Sequence, residues 1–97
     1  MKTQQSKNLY KVMQRFADIT ILFILQGNLK RAERCLQLAD KLFITGNIII
    51  KNAVANVFVY SLSRVLDRRD EISKRAFEIL PLSLKREYDL QVNSFGV

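Results

Sequence analysis

One largely apolar stretch, residues 46–66, has the sequence GNIIIKNAVANVFVYSLSRVL, and it constrains the fold more than any other feature. Its three consecutive isoleucines and its Val-Phe-Val-Tyr run favour strands by composition. Its apolar side chains nevertheless recur at intervals of three and four, which is the period of a helix; a half-buried strand would alternate over a shorter run. The residues that share this helical stripe are Ile50, Ala53, Val54, Val57, Phe58, Leu62, Val65 and Leu66.

Burial decides between the two structures for this stretch. Each β-branched residue costs a few tenths of a kcal/mol in helix propensity. Each large apolar side chain that is buried gains about 1.5–3 kcal/mol. The stretch therefore predicts a buried central helix.

Two Gly-Asn pairs, at 27–28 and 46–47, predict the ends of two helices and the starts of the next two. Glycine suits a left-handed helix end, and asparagine caps an amino terminus. We expect a first helix over residues 6–26 and a second over residues 29–44. The inner side of the first is predicted to carry Leu9, Val12, Met13, Phe16, Ile19, Thr20 and Phe23. The inner stripe of the second is predicted to be Leu29, Ala32, Leu36, Ala39 and Phe43.

The last third of the chain predicts two shorter helices. In the charged turn DRRDE, Asp70 or Asp67 can cap a fourth helix that ends near Leu80, because the residue before a proline disfavours helical geometry. Pro81 can open a fifth helix over residues 82–92, which presents Leu84, Tyr88 and Val92. Residues 1–5 and 93–97 are predicted to be flexible tails.

The composition predicts one globular domain over residues 1–97. Hydrophobic residues make up 48% of the 97, with three glycines and one proline. The single cysteine cannot form an internal disulfide, which favours a reducing, cytoplasmic location. No signal peptide is visible, and the apolar run at residues 19–25 is far shorter than the ~20 residues that cross a bilayer, so no membrane contact is expected.

Residues 16–39 resemble a single tetratricopeptide-like helical hairpin. Small residues at the helix crossing, Ala32 and Ala39, face large ones, Phe16, Phe23 and Leu36. Ile44 stands where that family usually has its closing proline, and no second copy follows 34 residues later. The resemblance implies an antiparallel pair of helices, and any tight helical hairpin shows the same spacing.

The segments KNAVANVFVYSLS and LPLSLKREYDLQ resemble small bacterial proteins of an uncharacterised domain family. Those proteins carry a similar helix, Asn-Ala-Val followed by Asn-Val-Phe-Val-Tyr-Ser, and then a Leu-Pro pair and a tyrosine. They often have an acidic residue where this chain has Ala55, a departure that argues against a shared charged site. The resemblance implies a bacterial source and a fold, and it implies no established activity.

The sequence argues against an enzyme. It has no histidine, which removes the commonest general base, the usual Ser-His and Cys-His nucleophile pairs and most zinc sites. Cys35 lies among apolar neighbours and is expected to be a buried structural thiol. The acids Asp67, Asp70 and Glu71 are expected to be solvated caps, and the chain has no glycine-rich phosphate loop. We therefore expect no catalytic residue, no metal and no cofactor.

Basic residues are concentrated in the first two thirds of the chain. Residues 1–65 hold ten Lys and Arg against three acids, whereas residues 66–97 hold six of each. Lys7, Lys11 and Arg15 are four apart and form a stripe that could follow a phosphate backbone by salt-dependent, non-specific binding. A solvated helix face is the other interpretation of this stripe, and aromatic residues for stacking are few around it.

The stretch between Lys51 and Arg64 contains no charged residue. On a helical wheel Asn52, Asn56 and Ser63 share one edge with Val59, and Tyr60 flanks it. An exposed edge normally carries charges, so we expect both asparagines to be at least half buried, under the chain's own last helices or a second copy. Their side chains would then bond neighbouring backbone, or the edge would contact a ligand or partner.

These patterns predict an all-α domain of four to five helices, with a tetratricopeptide-like hairpin and a buried third helix. The first hypothesis for its function is a non-enzymatic protein-interaction or assembly module that contacts an unknown protein partner or forms a homodimer. The edge that would make this contact is Asn52, Asn56, Tyr60 and Ser63. The alternative is a nucleic-acid-associated protein that binds through Lys7, Lys11 and Arg15. A small-molecule-binding domain is a third hypothesis.

Overall fold

Five helices follow one another with connections of two to four residues. The structure is a computed structural model that describes the backbone of residues 2–95 and the side chains of residues 8–94. The helices are α1 (Lys2–Leu25), α2 (Leu29–Thr45), α3 (Ile48–Leu66), α4 (Glu71–Ile79) and α5 (Leu82–Phe95). No strand occurs within this part of the chain, so the prediction of an all-α fold is confirmed.

Side-chain caps fix the starts of three helices, as the sequence predicted. The Asn28 side chain accepts a hydrogen bond from the backbone N–H of Arg31 at 3.4 Å. Asn47 accepts one from Ile50 at 3.0 Å, and Asp70 accepts one from Ser73 at 3.0 Å. Each cap satisfies a backbone donor that has no partner within the first turn of its helix.

The two glycines before these asparagines have different roles. Gly27 has φ +77°, the left-handed conformation that the sequence predicted. Gly46 has φ −75° and ψ 166°, so the same prediction is wrong there. A Cβ atom on Gly46 would lie 2.5 Å from the carbonyl oxygen of Leu42, so this position requires glycine for lack of space.

Four of the helix bounds differ from the predicted ones. Helix α1 begins at Lys2 and ends at Leu25, and α2 ends at Thr45. Helix α5 continues to Phe95, so most of the two predicted tails is helical in backbone. Residues 1, 96 and 97, which also belong to those tails, lie outside the described residues. The ends of α1 and α2 differ from the prediction by one residue, which is ordinary, whereas the start of α1 and the end of α5 extend four and three residues beyond it.

Helix α3 is the centre of the core. Its residues Ala53, Val54 and Phe58 are fully buried, and Phe58 packs against Phe16 of α1 with ring centroids 5.0 Å apart. Helix α3 is long and apolar enough to cross a membrane by length and composition alone, but 44% of that stretch is buried inside the protein. The prediction of a buried third helix is confirmed, except for one edge described below.

Helices α1 and α2 pack as a hairpin across the turn at residues 26–28. Ala32, Leu36 and Ala39 of α2 are at most 1% exposed. Arg31 lies over the Phe23 ring at 5.9 Å from its centroid, which ties the two helices together beside the turn. Small residues on the inner face of α2 thus allow the two helices to approach closely.

The inner face of α1 differs from the predicted one. Val12 and Ile19 were expected inside and are 62% and 49% exposed. Helix α1 carries apolar residues all round its second half, so periodicity alone does not identify the side that the core takes. The buried side chains of α1 are Met13, Ala17, Thr20 and Ile24.

Helix α3 contains a π turn. Residues Ile48–Ala53 and Tyr60–Leu66 are α-helical, and Val54–Val59 between them form i→i+5 hydrogen bonds. A π turn holds more residues than an α turn, so each residue rotates the helix less. Val59, which an α-helical wheel places on the asparagine edge, is consequently only 1% exposed.

Candidate interaction surface

Asn52, Asn56, Tyr60 and Ser63 lie along one side of α3, and we call these four residues the α3 edge. The first three are exposed and Ser63 is half-buried. The expectation that the chain's own helices cover both asparagines is therefore wrong. The π turn rotates Val59 into the core, and the asparagines remain on the outside of the helix. Helices α4 and α5 do not cover them.

The π turn also reduces the drift of the α3 edge around the helix. Residues four apart drift around an α-helix, because four residues turn it by more than one full revolution. The smaller rotation per residue in the π turn reduces this drift between Asn52, Asn56 and Tyr60. All three residues accordingly stay on the exposed side of the helix.

Gln91 of α5 forms a hydrogen bond to the backbone of the π turn. Its Nε2 atom donates a hydrogen bond to the backbone carbonyl of Ala55 at 2.8 Å and another to Glu87 Oε2 at 2.9 Å. This side chain supplies a donor to a carbonyl in the widened segment of α3, and it fixes α5 beside the α3 edge.

An open cleft of about 530 Å³ continues the α3 edge between α3 and α5. Tyr60 and Ser63 of the edge both line it, so the structure brings two of the four predicted contact residues into one concave site. The other lining residues are Asp67, Arg69, Tyr88, Gln91 and Val92.

Tyr88 is the one buried residue among those that line this cleft. The Tyr88 hydroxyl donates a hydrogen bond to Asp67 Oδ1, and the tyrosine ring packs edge-on against Phe77 with centroids 5.4 Å apart. The pKa of Tyr88 is raised to about 12, mainly by burial and to a lesser extent by the Asp67 carboxylate. At neutral pH the phenol is therefore a neutral donor that is already engaged.

Arg69 brings a positive charge to the mouth of the cleft. It has φ +55°, the only left-handed residue other than glycine in the described chain, and its guanidinium is exposed. Beside it, Arg68 forms an ion pair with Asp70 at 2.9 Å. The hydrogen bond from the Ser73 N–H is the main cause that lowers the pKa of the Asp70 carboxyl, and the positive charge of Arg68 lowers it further. Asp70 thus caps α4, as the sequence predicted, whereas Asp67 accepts the Tyr88 hydroxyl and does not cap this helix.

The basic stripe lies on a different part of the molecule. Lys11 and Arg15 are exposed on α1. Lys7 belongs to the same helix, but its side chain lies outside the described residues. Among described side chains the ion pairs are Arg68–Asp70 and Arg75–Glu71, so neither Lys11 nor Arg15 is neutralised by a neighbouring carboxylate.

Two further polar groups, Cys35 and Asp40, lie on α2. Cys35 is half-buried on α2, less enclosed than the predicted structural thiol. The Oδ1 atom of Asp40 is enclosed and has no hydrogen-bond partner within the described part of the chain, and burial raises the pKa of this carboxyl. No group of three His, Cys, Asp or Glu residues is placed to hold a metal ion there.

Sequence reasoning did not identify the α5 side of the cleft. Gln91 and Arg69 were not singled out, and Tyr88 and Val92 were predicted only as packing residues. Gln91 lies 36 residues from Ala55, and no local pattern links the two. The absence of charge between Lys51 and Arg64 was the one signal that pointed to this part of the surface.

Residues 1–94 of the chain match the family described as "Domain of unknown function (DUF7674)", and the chain belongs to that family. This agrees with the resemblance to an uncharacterised domain family. Comparison with curated proteins gave no match. Comparison with solved structures gave none either.

Proposed function

Starting from a family of unknown function, we propose that this protein is a non-enzymatic interaction or assembly module of the cytoplasm. Its contact surface is the α3 edge together with the adjoining cleft. The observation that carries this proposal is the exposure of an uncharged helix edge that leads into a concave site lined by two tyrosines.

The chemistry of this surface supports protein binding. The centres of protein interfaces are poor in charged residues and rich in tyrosine. Tyr60 is 59% exposed and Val92 is 42% exposed, and both line the cleft. The two groups with the strongest ionic character, Asp67 and Arg69, lie at one end, where they can orient a partner.

The same groups support a role without catalysis. The chain has no histidine, and the Tyr88 phenol is held protonated against Asp67. Histidine is the commonest general base near neutral pH, and the phenol of Tyr88 is already engaged as a donor to Asp67. The single cysteine supports a reducing, cytoplasmic location.

We also propose that α1 and α2 form a tetratricopeptide-like hairpin, and the resemblance of the sequence to small bacterial proteins is the support for a bacterial source. Ala32 and Ala39 are fully buried on α2, and Phe16 and Phe23 of α1 pack against the core. This is the division into small and large residues that the motif needs where its two helices cross.

Photo-crosslinking in the native cell tests the proposed surface. p-Benzoylphenylalanine at position 60 should yield a protein adduct, because this side chain projects from the α3 edge. The matched control places the same group at position 38, since Leu38 is similarly exposed, at 51%, on α2. Equal adducts from both positions, or none from position 60, would contradict the proposal.

A nucleic-acid-associated role is the second candidate, favoured by the exposed and unneutralised Lys11 and Arg15. If these two and Lys7 each contact a phosphate, binding to duplex DNA should have a log–log salt slope of about −2 to −3. Charge reversal at all three positions should abolish retention on DNA.

A control variant for this experiment reverses Lys30, Arg34 and Lys41 on α2, which changes the net charge by the same amount. Loss of binding in both variants would indicate a general effect of net charge. Retention that ignores salt and the α1 substitutions would rule out the stripe as the binding surface.

A further inference from the structure

We propose that the partner of the α3 edge is a second copy of this chain, packed against it about a two-fold axis. This inference rests on the proposed function, because it names the occupant of the same surface. Three features carry it: the charge of the molecule, the chemistry of the edge and the length of the edge.

Charge restricts where two copies can meet. Each chain carries a formal charge of +7, so two copies repel one another at long range. At physiological ionic strength this repulsion acts over about 8 Å, so the charges close to the contact decide the outcome. The α3 edge lies within the longest stretch of α3 without charge, between Lys51 and Arg64.

The basic faces of α1 and α2 are poor contacts between copies for the same reason. Exposed apolar residues occur there too, but Lys11, Arg15 and Arg34 are exposed among them. A two-fold axis through either face brings the cations nearest the axis close to their own copies in the other chain. Such a contact between identical chains is less favourable than one that has no charge near the axis.

The side chains of the α3 edge complement copies of themselves. A two-fold interface brings the same patch of both chains together, so each group must be able to meet its own kind. The amides of Asn52 and Asn56 both donate and accept hydrogen bonds, and so does the hydroxyl of Tyr60. Lysine, arginine and the carboxylates cannot pair with themselves in this way.

The length of the α3 edge makes a long contact available. From Ile48 to Ser63 the helix rises by about 23 Å. Ile48 and Ile49 are 69% and 50% exposed at its start, and Tyr60 supplies apolar area near its end. About an axis at Asn56, two antiparallel edges place Asn52 of each copy against Tyr60 of the other, with Ile48 and Ile49 at the two ends of the contact.

Light scattering over a wide concentration range tests the inference. The native protein should approach twice the chain mass of 11.3 kDa, and added salt should not weaken the dimer, because no charge pair closes the contact and screening reduces the repulsion between the two chains. Asn56→Lys should raise the dimer dissociation constant at least tenfold, since it places two cations near the axis. Asn56 is exposed, so the thermal midpoint of the diluted variant should match the wild type.

Leu38→Lys is the matched control, because it adds the same charge to an exposed apolar position of α2 and should leave the dimer unchanged. A wild-type mass of one chain at every concentration, or a dimer that survives both Asn56→Lys and Tyr60→Lys, would overturn the inference. Equal dissociation in the Leu38→Lys control would overturn it too, because net charge alone would then explain the loss.

Crosslinking at position 60 separates this inference from the proposed function. An adduct of two identical chains supports both. An adduct with a different protein overturns the inference and leaves the interaction module in place. The absence of any adduct overturns both.

Discussion

The absence of a Cβ atom at Gly46 allows α2 and α3 to approach closely. A Cβ atom there would lie 2.5 Å from Leu42 O and 2.7 Å from Ile50 Cγ2. We expect Gly46→Ala to lower the free energy of unfolding by about 1–3 kcal/mol, because α2 and α3 must separate to admit the methyl group. Urea unfolding measures the loss.

Gly27 provides the matched comparison for this prediction. It has open space around it and is constrained only by φ +77°. Gly27→Asn should recover most of the stability that Gly27→Ala loses, since asparagine tolerates the left-handed region. Gly46→Asn should recover nothing. Recovery at Gly46 would mean that conformation, and not space, limits that position.

Ionisation of Tyr88 should make the stability of the fold depend on pH in the alkaline range. Its folded pKa of about 12 lies above the ordinary value of 10.0, so the protonated phenol contributes stability in full below pH 10. That contribution should be lost as the pH rises from 10 to 12. Circular dichroism during an alkaline titration should show a steeper loss of structure in the wild type than in Tyr88→Phe.

Lysine deprotonation also affects the alkaline titration, and the Phe variant controls for it. At pH 7 Tyr88→Phe should cost about 1 kcal/mol, the net value of one hydrogen bond. Parallel alkaline curves for the two proteins would contradict a folded-state role for the Tyr88 proton.

At the scale of the helix, the α1–α2 hairpin depends on small residues. Ala32 is fully buried where the two helices pack. Ala32→Leu should overpack this contact and cost roughly 1–3 kcal/mol, which a thermal melt would detect. An unchanged midpoint would argue that these faces do not meet, and Leu38→Ala on the exposed side should change stability by less than about 0.5 kcal/mol.

The helices and their caps could be predicted because their signals are local. Asn28, Asn47 and Asp70 each act within three residues of themselves, and Pro81 acts on its neighbour. The π turn could not be predicted, because it depends on Gln91 and on the way α3 packs in three dimensions. The cleft was missed for the same reason, since it exists only where α5 lies against α3.

Charge is distributed unevenly over the whole molecule. Its excess of cations lies in the first 65 residues, and the described side chains form only two ion pairs, both exposed. Screening should therefore relieve more repulsion than it removes attraction. We expect the thermal midpoint to rise by a few degrees as NaCl increases from low to physiological concentration.

The variant Lys11→Gln/Arg15→Gln tests the origin of this effect at the scale of the whole molecule. It should begin with a higher midpoint at low salt and gain less from added NaCl. A midpoint that falls with salt in the wild type would show that attraction dominates the charge distribution.

The π turn has a further consequence for the length of the polypeptide. A helix with a π turn contains one residue more than a regular helix of the same path. Deleting Ala55 should let α3 close into regular α-helix and keep Leu62 and Val65 inside, at the expense of the alignment of the α3 edge and of the Gln91 bond. Deleting Ser63 in the regular segment should instead turn the following residues by about 100° and move them out of the core. Chain length is thus adjustable by one residue at one place in this helix.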